Sequence, residues 1–219
     1  MYWEEETNEE GFIIPEDVID LQFKVICPTL PVDHAWHLAQ AIEQVLPWFN
    51  DEAAVGLHLI HGAESGNGWE RPEDADALLH LSKRTPLTLR LPIAQADEAL
   101  ELIGRTLDIA GHSMQILSAK QKKLAMSRFL YSRYIEIDPE LSEDQFIAWA
   151  VSELKQMGLR FKKILCGKSH QLQRPGCPIH TRSLLVAELP YEDAITLQEQ
   201  GMGNHRSLGC GIFLPQKSF

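Results

Sequence analysis

Cysteine is scarce in this 219-residue chain, and its four copies, Cys27, Cys166, Cys177 and Cys210, form no CxxC pair. In a chain of this length they do not make a disulfide framework. Cys166, Cys177 and His180 come nearest to a zinc set, but the spacing is irregular and a fourth ligand is missing. Cys27 and Cys210 read as small buried hydrophobes in strands. No apolar run approaches the ~20 residues that span a bilayer, and the acidic start from Met1 to Glu10 does not fit a secretory signal. A cytoplasmic protein with no membrane partner is expected. Basic residues are also in deficit: 20 Lys and Arg face 31 Asp and Glu, a net charge of −11. That balance argues at first sight against nucleic acid. The deficit is uneven, however. Residues 1–123 hold 9 basic and 21 acidic residues, residues 124–219 hold 11 and 10, and eight of the acids lie within residues 1–20. A surface for RNA is therefore expected mostly on the C-terminal half, with the acidic start as a solvated tail.

Hydrophobic periodicity supplies the elements. Ile19, Leu21, Phe23, Val25 and Cys27 alternate with other residues as a strand does. Asp33 is placed to cap a helix carrying Trp36, Leu38, Ile42, Leu46 and Phe49, with Pro47 ending or distorting its last turn. Residues 54–60 form a second strand, 78–82 and 87–91 further strand material, 94–102 a helix, and 106–109 with 112–117 a closing hairpin. After a basic link at 118–123 the plan repeats. Strands are expected at 129–137, 160–165, 183–189 and 208–214. One helix starts at Ser142 and runs to about Met157, and another spans 191–200 behind Pro190. Residues 167–181 read as a long polar loop. The fold class is α+β, two tandem ferredoxin-like (RRM-like) βαββαβ domains: a flexible acidic lead-in at 1–17, an N-terminal domain at 18–123 and a C-terminal domain at 124–219.

Between the last helix and the last strand stands Gly201-Met-Gly-Asn-His-Arg-Ser-Leu-Gly-Cys-Gly-Ile-Phe213, with two Gly-x-Gly pairs. Glycines let backbone approach another chain closely, and exposed amides can cradle phosphate oxygens. A tight helix-to-strand turn with a glycine bulge is the plainer alternative. The position rules out a Walker loop, which enters a helix, and a Rossmann fingerprint, which follows a strand.

The loop resembles the glycine-rich signature of the RAMP superfamily of CRISPR RNA-binding proteins. Leu30-Pro-Val-Asp-His34, Leu57-His-Leu-Ile-His-Gly62, Leu87-Thr-Leu-Arg-Leu-Pro92, Leu107-Asp-Ile-Ala-Gly-His112 and Leu208-Gly-Cys-Gly-Ile-Phe-Leu-Pro215 are similar to the CRISPR repeat-processing endoribonucleases of the Myxan subtype. The resemblance covers about residues 18 to 217. It implies a metal-independent endoribonuclease that needs no cofactor and cuts CRISPR precursor RNA within its repeats. The 2′-hydroxyl would attack the scissile phosphate, leaving a 2′,3′-cyclic phosphate and mature guide RNA. Partners would be precursor RNA, guide RNA and effector-complex subunits.

The base in such a family usually comes from the first helix or just after it. His34, in the first helical turn, ranks first, because a helix N-terminus favours neutral imidazole. His58 ranks second, His37 shares a face with His34, and His61 ends the strand. His34 and His37 have metal-ligand spacing but no evident third ligand. Lys83, Arg84, Arg90 and Arg206 are candidates to stabilise phosphorane charge. Tyr191 and Trp36 could stack on bases, though Trp36 fits a core position. The expected RNA contacts are Gly201, Gly203, His205, Arg206, Gly209, Gly211, Lys168 and Arg174. Lys168 and Arg174 belong to a basic set with Lys155, Arg160, Lys162, Lys163 and Arg182, and the loop 167–181 could act as a flexible finger. A non-catalytic guide-RNA-binding subunit and a ferredoxin-like metabolic or regulatory protein are the alternatives.

Overall fold

The computed structural model describes residues 12–62, 71–72, 74 and 77–216. Most of the acidic lead-in and of the loop after His61 lie outside them. The first half holds β1 (Val18–Ile26), β2 (Thr29–Pro31), α1 (Ala35–Glu43), β3 (Gly56–His58), β4 (Leu78–His80), β5 (Pro86–Pro92), the short α2 (Ala96–Ala99) between two 3-10 turns, β6 (Thr106–Ile109) and β7 (His112–Lys123). The second half holds β8 (Phe129–Glu136), α3 (Glu143–Gln156), β9 (Lys163–Leu172), β10 (Ile179–Ala187), α4 (Tyr191–Gln200) and β11 (Leu214–Pro215). This is a mixed α+β fold. One five-stranded sheet runs β3-β5-β1-β7-β6, a four-stranded sheet runs β11-β8-β10-β9, and β2 pairs with β4. Every pairing is antiparallel.

The period-two pattern of β1 sorts its faces. Ile19, Leu21, Phe23 and Val25 are buried in one cluster with Leu38 and Ile42 of α1 and Ala96 and Ala99 of α2. Asp20, Gln22 and Lys24 occupy the opposite face. On that face Asp20 lies beside Arg90 and Lys122, and Gln22 beside Thr88 and Lys120. Gly56 and His58 of β3 extend the same two rows, opposite Arg90 and Thr88. The second half has its own core, in which Phe146, Ala150 and Leu154 of α3 meet Leu184, Val186, Leu197 and Phe213. The helix α3 opens with a full capping box: Gln145 N–H donates to Ser142 Oγ, and Ser142 N–H donates to the Gln145 side chain. Tyr134, Leu172, Ile179, Leu208 and Cys210 leave the second half to join the first core, so the junction between halves is apolar.

Several sequence expectations need correction. Asp33 does not cap α1. His34 occupies the cap position without a side-chain cap bond, and the helix stops at Glu43. The supposed link 118–123 is the end of β7, whose residues pair with β1 as far as Lys123 opposite Ile19. The supposed loop 167–181 is mostly a β9–β10 hairpin with its tip at 173–178. The last strand shrinks to two residues, because Gly209 and Gly211 take φ of +84° and +68° and cannot lie flat in a sheet.

Candidate functional site

The histidine expected to be the base is built into the core. His34 is 2% exposed. Its Nδ1 donates to Pro31 O at 2.9 Å, and its Nε2 accepts from Ile60 N–H at 3.2 Å. Protonation would break the second bond, and burial pulls its pKa down to about 4. Both ring nitrogens are occupied, so His34 ties the start of α1 to the chain after β3 and has no nitrogen left for a substrate. That corrects its first ranking. His37 lies exposed on α1.

His58 belongs to an ionic cluster on the polar face of the first sheet. Its Nε2 is 3.3 Å from Asp20 Oδ1. Burial lowers its pKa despite that carboxylate. Arg90, 1% exposed, donates Nε to Asp20 Oδ1 at 2.7 Å and Nη2 to Oδ2 at 2.9 Å. Its Nη1 reaches Gln198 O at 3.0 Å and Phe213 O at 2.9 Å in the second half. Asp20 is desolvated, but His58 and Arg90 hold its carboxyl well below the usual range. Arg90 is therefore a clamp between the halves and not a free phosphate ligand.

The glycine loop is also turned largely inward. Gly201, Gly209 and Gly211 are buried. Their amides donate to Leu197 O, Arg206 O and Tyr134 O, and Met202 N donates back to Gly211 O. A Cβ on Gly211 would collide with the Met202 backbone, and one on Gly209 with the Leu59 side chain. Arg206 donates to Gln200 O and, at 3.4 Å, to Ala54 O. Burial lowers its pKa to about 10. These four residues pack the junction, and their expected role as a phosphate cradle is corrected. The outer turn is different. Gly203 and Asn204 are exposed, and among the described residues the amides of 203–207 donate to no backbone carbonyl. His205, at φ +60°, sits in this turn with Nε2 3.4 Å from Glu136 Oε1.

The structure brings together a cluster that sequence reasoning missed, where the halves meet. His61, just beyond β3, lies 6.1 Å from the Tyr134 ring of β8, and His170 of β9 stands edge-on to the same ring at 5.8 Å. Tyr134 is 2% exposed, and the Arg71 guanidinium faces its hydroxyl. Arg71 and Arg133 are the nearby charges on all three rings. Arg71 is anchored to Val32 O at 3.1 Å and to Asp33 Oδ1 at 3.2 Å. Burial first, then the two arginines with His34 and His58, hold His61 down to about 3. Burial raises Tyr134 and lowers His170. At neutral pH the cluster offers unprotonated imidazoles beside an intact phenol and fixed positive charge. That set can accept a proton and stabilise an anion.

The β9–β10 hairpin reaches the same junction. Gln173 N–H at its tip donates to Asp33 Oδ1 at 3.1 Å, so the expected flexible finger is tethered to the start of α1. Arg174 closes the tip on Cys177 O at 2.8 Å, and Lys168 stands exposed on β9. Other cations of the expected RNA set face acids: Arg160 pairs with Glu192 and Asp193, and Lys162 and Lys163 pair with Glu188. Among the described residues no group of three His, Cys, Asp or Glu could hold a metal. No helix among them is long and apolar enough to cross a membrane.

A family model described as Cas6 Crispr matches residues 19–218. The CRISPR-associated endonuclease Cas6 of Myxococcus xanthus is 28% identical over 197 residues, 90% of this chain and 81% of its own. Among solved structures, an RAMP protein binding different RNA substrates superposes with a TM-score of 0.61 at 14% identity, covering 91% of this chain and all of its own. A Cas6-related protein from Pyrococcus furiosus superposes at 0.59 and 13% identity, covering 90% and 97%. The mixed α+β fold is theirs, and the chain belongs to the Cas6 family of CRISPR proteins.

Proposed function

We propose that this protein is a metal-independent endoribonuclease that cuts CRISPR precursor RNA within its repeats. Its two sheets, each with its helix-flanking strands in the order fourth, first, third, second, are read as tandem ferredoxin-like halves meeting near residue 124. The 2′-hydroxyl before the scissile phosphate is the nucleophile. It gives up its proton to a base, bonds to phosphorus, and expels the 5′-oxygen of the next nucleotide, which takes a proton from water, leaving a 2′,3′-cyclic phosphate and a 5′-hydroxyl. His61 is the base, since it is neutral at physiological pH and sits where both halves contribute. Arg133 and Arg71 offset the growing charge on the phosphorane. Tyr134 positions the two imidazoles and, with its hydroxyl protonated, faces the same negative charge. The outer glycine turn, Gly203 to Ser207, receives a neighbouring phosphate on its amides and His205, and Lys168 steadies the strand along β9.

The observation that carries this reading is the Tyr134 ring held between His61 and His170 beside two arginines. The relatives, an endonuclease and a protein that binds RNA substrates, point the same way. The test is incubation of labelled cognate repeat RNA with pure protein in EDTA, followed by analysis of the product ends. One cut leaving a cyclic phosphate is expected. Intact RNA with a gel shift would favour the guide-holding subunit instead, and a strict metal requirement would overturn the mechanism.

A further inference from the structure

The polar face of the first sheet is only partly covered by the second half. The row of Gly56, Arg90 and Asp20 lies beneath it: Arg90 crosses to Gln198 and Phe213, and a Cβ on Gly56 would strike Ile212. Further along the same face is a groove of about 410 Å³ across β5, β1 and β7, lined by Lys24, Lys83, Arg84 and Lys120 together with uncharged residues. No carboxylate lines it. None of its four cations has an ion-pair partner among the described residues, whereas Arg71, Arg90, Lys123, Arg160, Lys162 and Lys163 all face acids. In a chain of net charge −11, an acid-free basic groove is a local reversal of the overall field.

Its layout indicates the shape of the ligand. Lys120 stands opposite Gln22, and Lys24 stands opposite Ser118, two residues further along. The two lysines are thus stepped diagonally, about 6.8 Å along the strands and about 4.8 Å across them. Lys83 and Arg84 add charge from the turn before β5. Charges spread along a line suit successive phosphates of one strand and not a single compact anion. The one aromatic residue at the groove, Phe23, is fully buried, so bases have no ring to stack on and binding is blind to sequence.

We infer that this groove holds the sugar–phosphate backbone of single-stranded RNA of variable sequence flanking the repeat, giving the first half an RNA contact separate from the junction. The inference rests on the RNA-cutting function proposed above. The test compares wild type with Lys24→Gln/Arg84→Gln and with a charge-matched control outside the groove, Arg105→Gln/Lys123→Gln. Each protein is titrated in EDTA with the repeat alone and with the repeat extended by about 15 nucleotides on its 5′ or its 3′ side. Each flank is made in two unrelated sequences, and affinities are measured from low to moderate salt.

Wild type should bind one flanked form more tightly than the bare repeat, whichever flank sequence is used. The groove variant should lose that gain, with its salt slope on flanked RNA lower by about 1.4, or about 0.7 for each lost contact. The control should keep both. A groove variant that retains the gain and the slope, a control that loses as much, or wild type that binds flanked and bare repeat equally would overturn the inference and leave the proposed function standing. Wild type that binds no repeat RNA at all would overturn both.

Discussion

Replacing Asp20 with asparagine removes one charge from the protein and leaves another stranded. Arg90 is 1% exposed, and its two strongest bonds, at 2.7 and 2.9 Å, go to the Asp20 carboxylate. Breaking a buried pair by removing one partner costs about 3–5 kcal/mol. The lower end applies here, because the guanidinium keeps Gln198 O and Phe213 O as acceptors. In a chain of this size about 3 kcal/mol lowers Tm by roughly 6–12 °C. The pH dependence fixes the cause. The Asp20 carboxyl is depressed in the folded state, so its stabilisation is full above the unfolded carboxylate value near ~4 and is lost as pH falls through the folded value below it. Wild type should therefore exceed Asp20→Asn by a constant margin from pH 8 to about 5, and the margin should shrink below about pH 4. Asp20→Asn/Arg90→Met should recover part of the loss, since it removes the stranded charge as well. Thermal unfolding by circular dichroism at several pH values measures all three. A shift under about 2 °C at pH 7, or a margin that persists unchanged to pH 2, would refute the argument.

Three further outcomes follow from the same structure. With His61 held at about 3 by burial and the arginines, kcat/KM should stay level from pH 8 to 5, while kcat should fall at a higher pH than kcat/KM because bound phosphate raises the imidazole pKa. A base of ordinary pKa would instead lose activity tenfold per unit below about 6.5 in kcat/KM. Gly211→Ala should destabilise the fold by about 1–3 kcal/mol, since φ is +68° and the new Cβ meets the Met202 backbone; urea unfolding reads it, and an unchanged midpoint would contradict the packing. His34→Ala should cost about 3 kcal/mol by leaving Ile60 N–H and Pro31 O unpaired in the core. Below its lowered Tm it should still cleave, which single-turnover assays would show.

Patterns within one segment were legible in the sequence, and contacts between segments were not. The alternation of Ile19, Leu21, Phe23 and Val25 and the Ser142 cap each state their own structure, and both are where expected. The hairpin at 163–187 is not legible because its strands are polar on the exposed face and its tip carries Pro175 and Pro178, which read as breakers. At the site, four first-half histidines were visible as a group, but nothing local distinguishes His34, closed on Pro31 O and Ile60 N, from His61, which meets Tyr134. That difference depends on β8 and β9 arriving from more than 70 residues away. The sequence shows the glycines as two Gly-x-Gly pairs. Their cause, the close approach of Met202 to Gly211 and of Leu59 to Gly209, belongs to the packed junction.

Single-turnover cleavage of saturating cognate repeat RNA by His61→Ala, with binding followed in parallel, tests the junction site most directly. The variant should bind RNA with near wild-type affinity while its rate constant falls by roughly 10²–10⁴-fold. A variant that cuts as fast as wild type, or a comparable loss on His37→Ala alone, would place the chemistry away from the Tyr134 cluster.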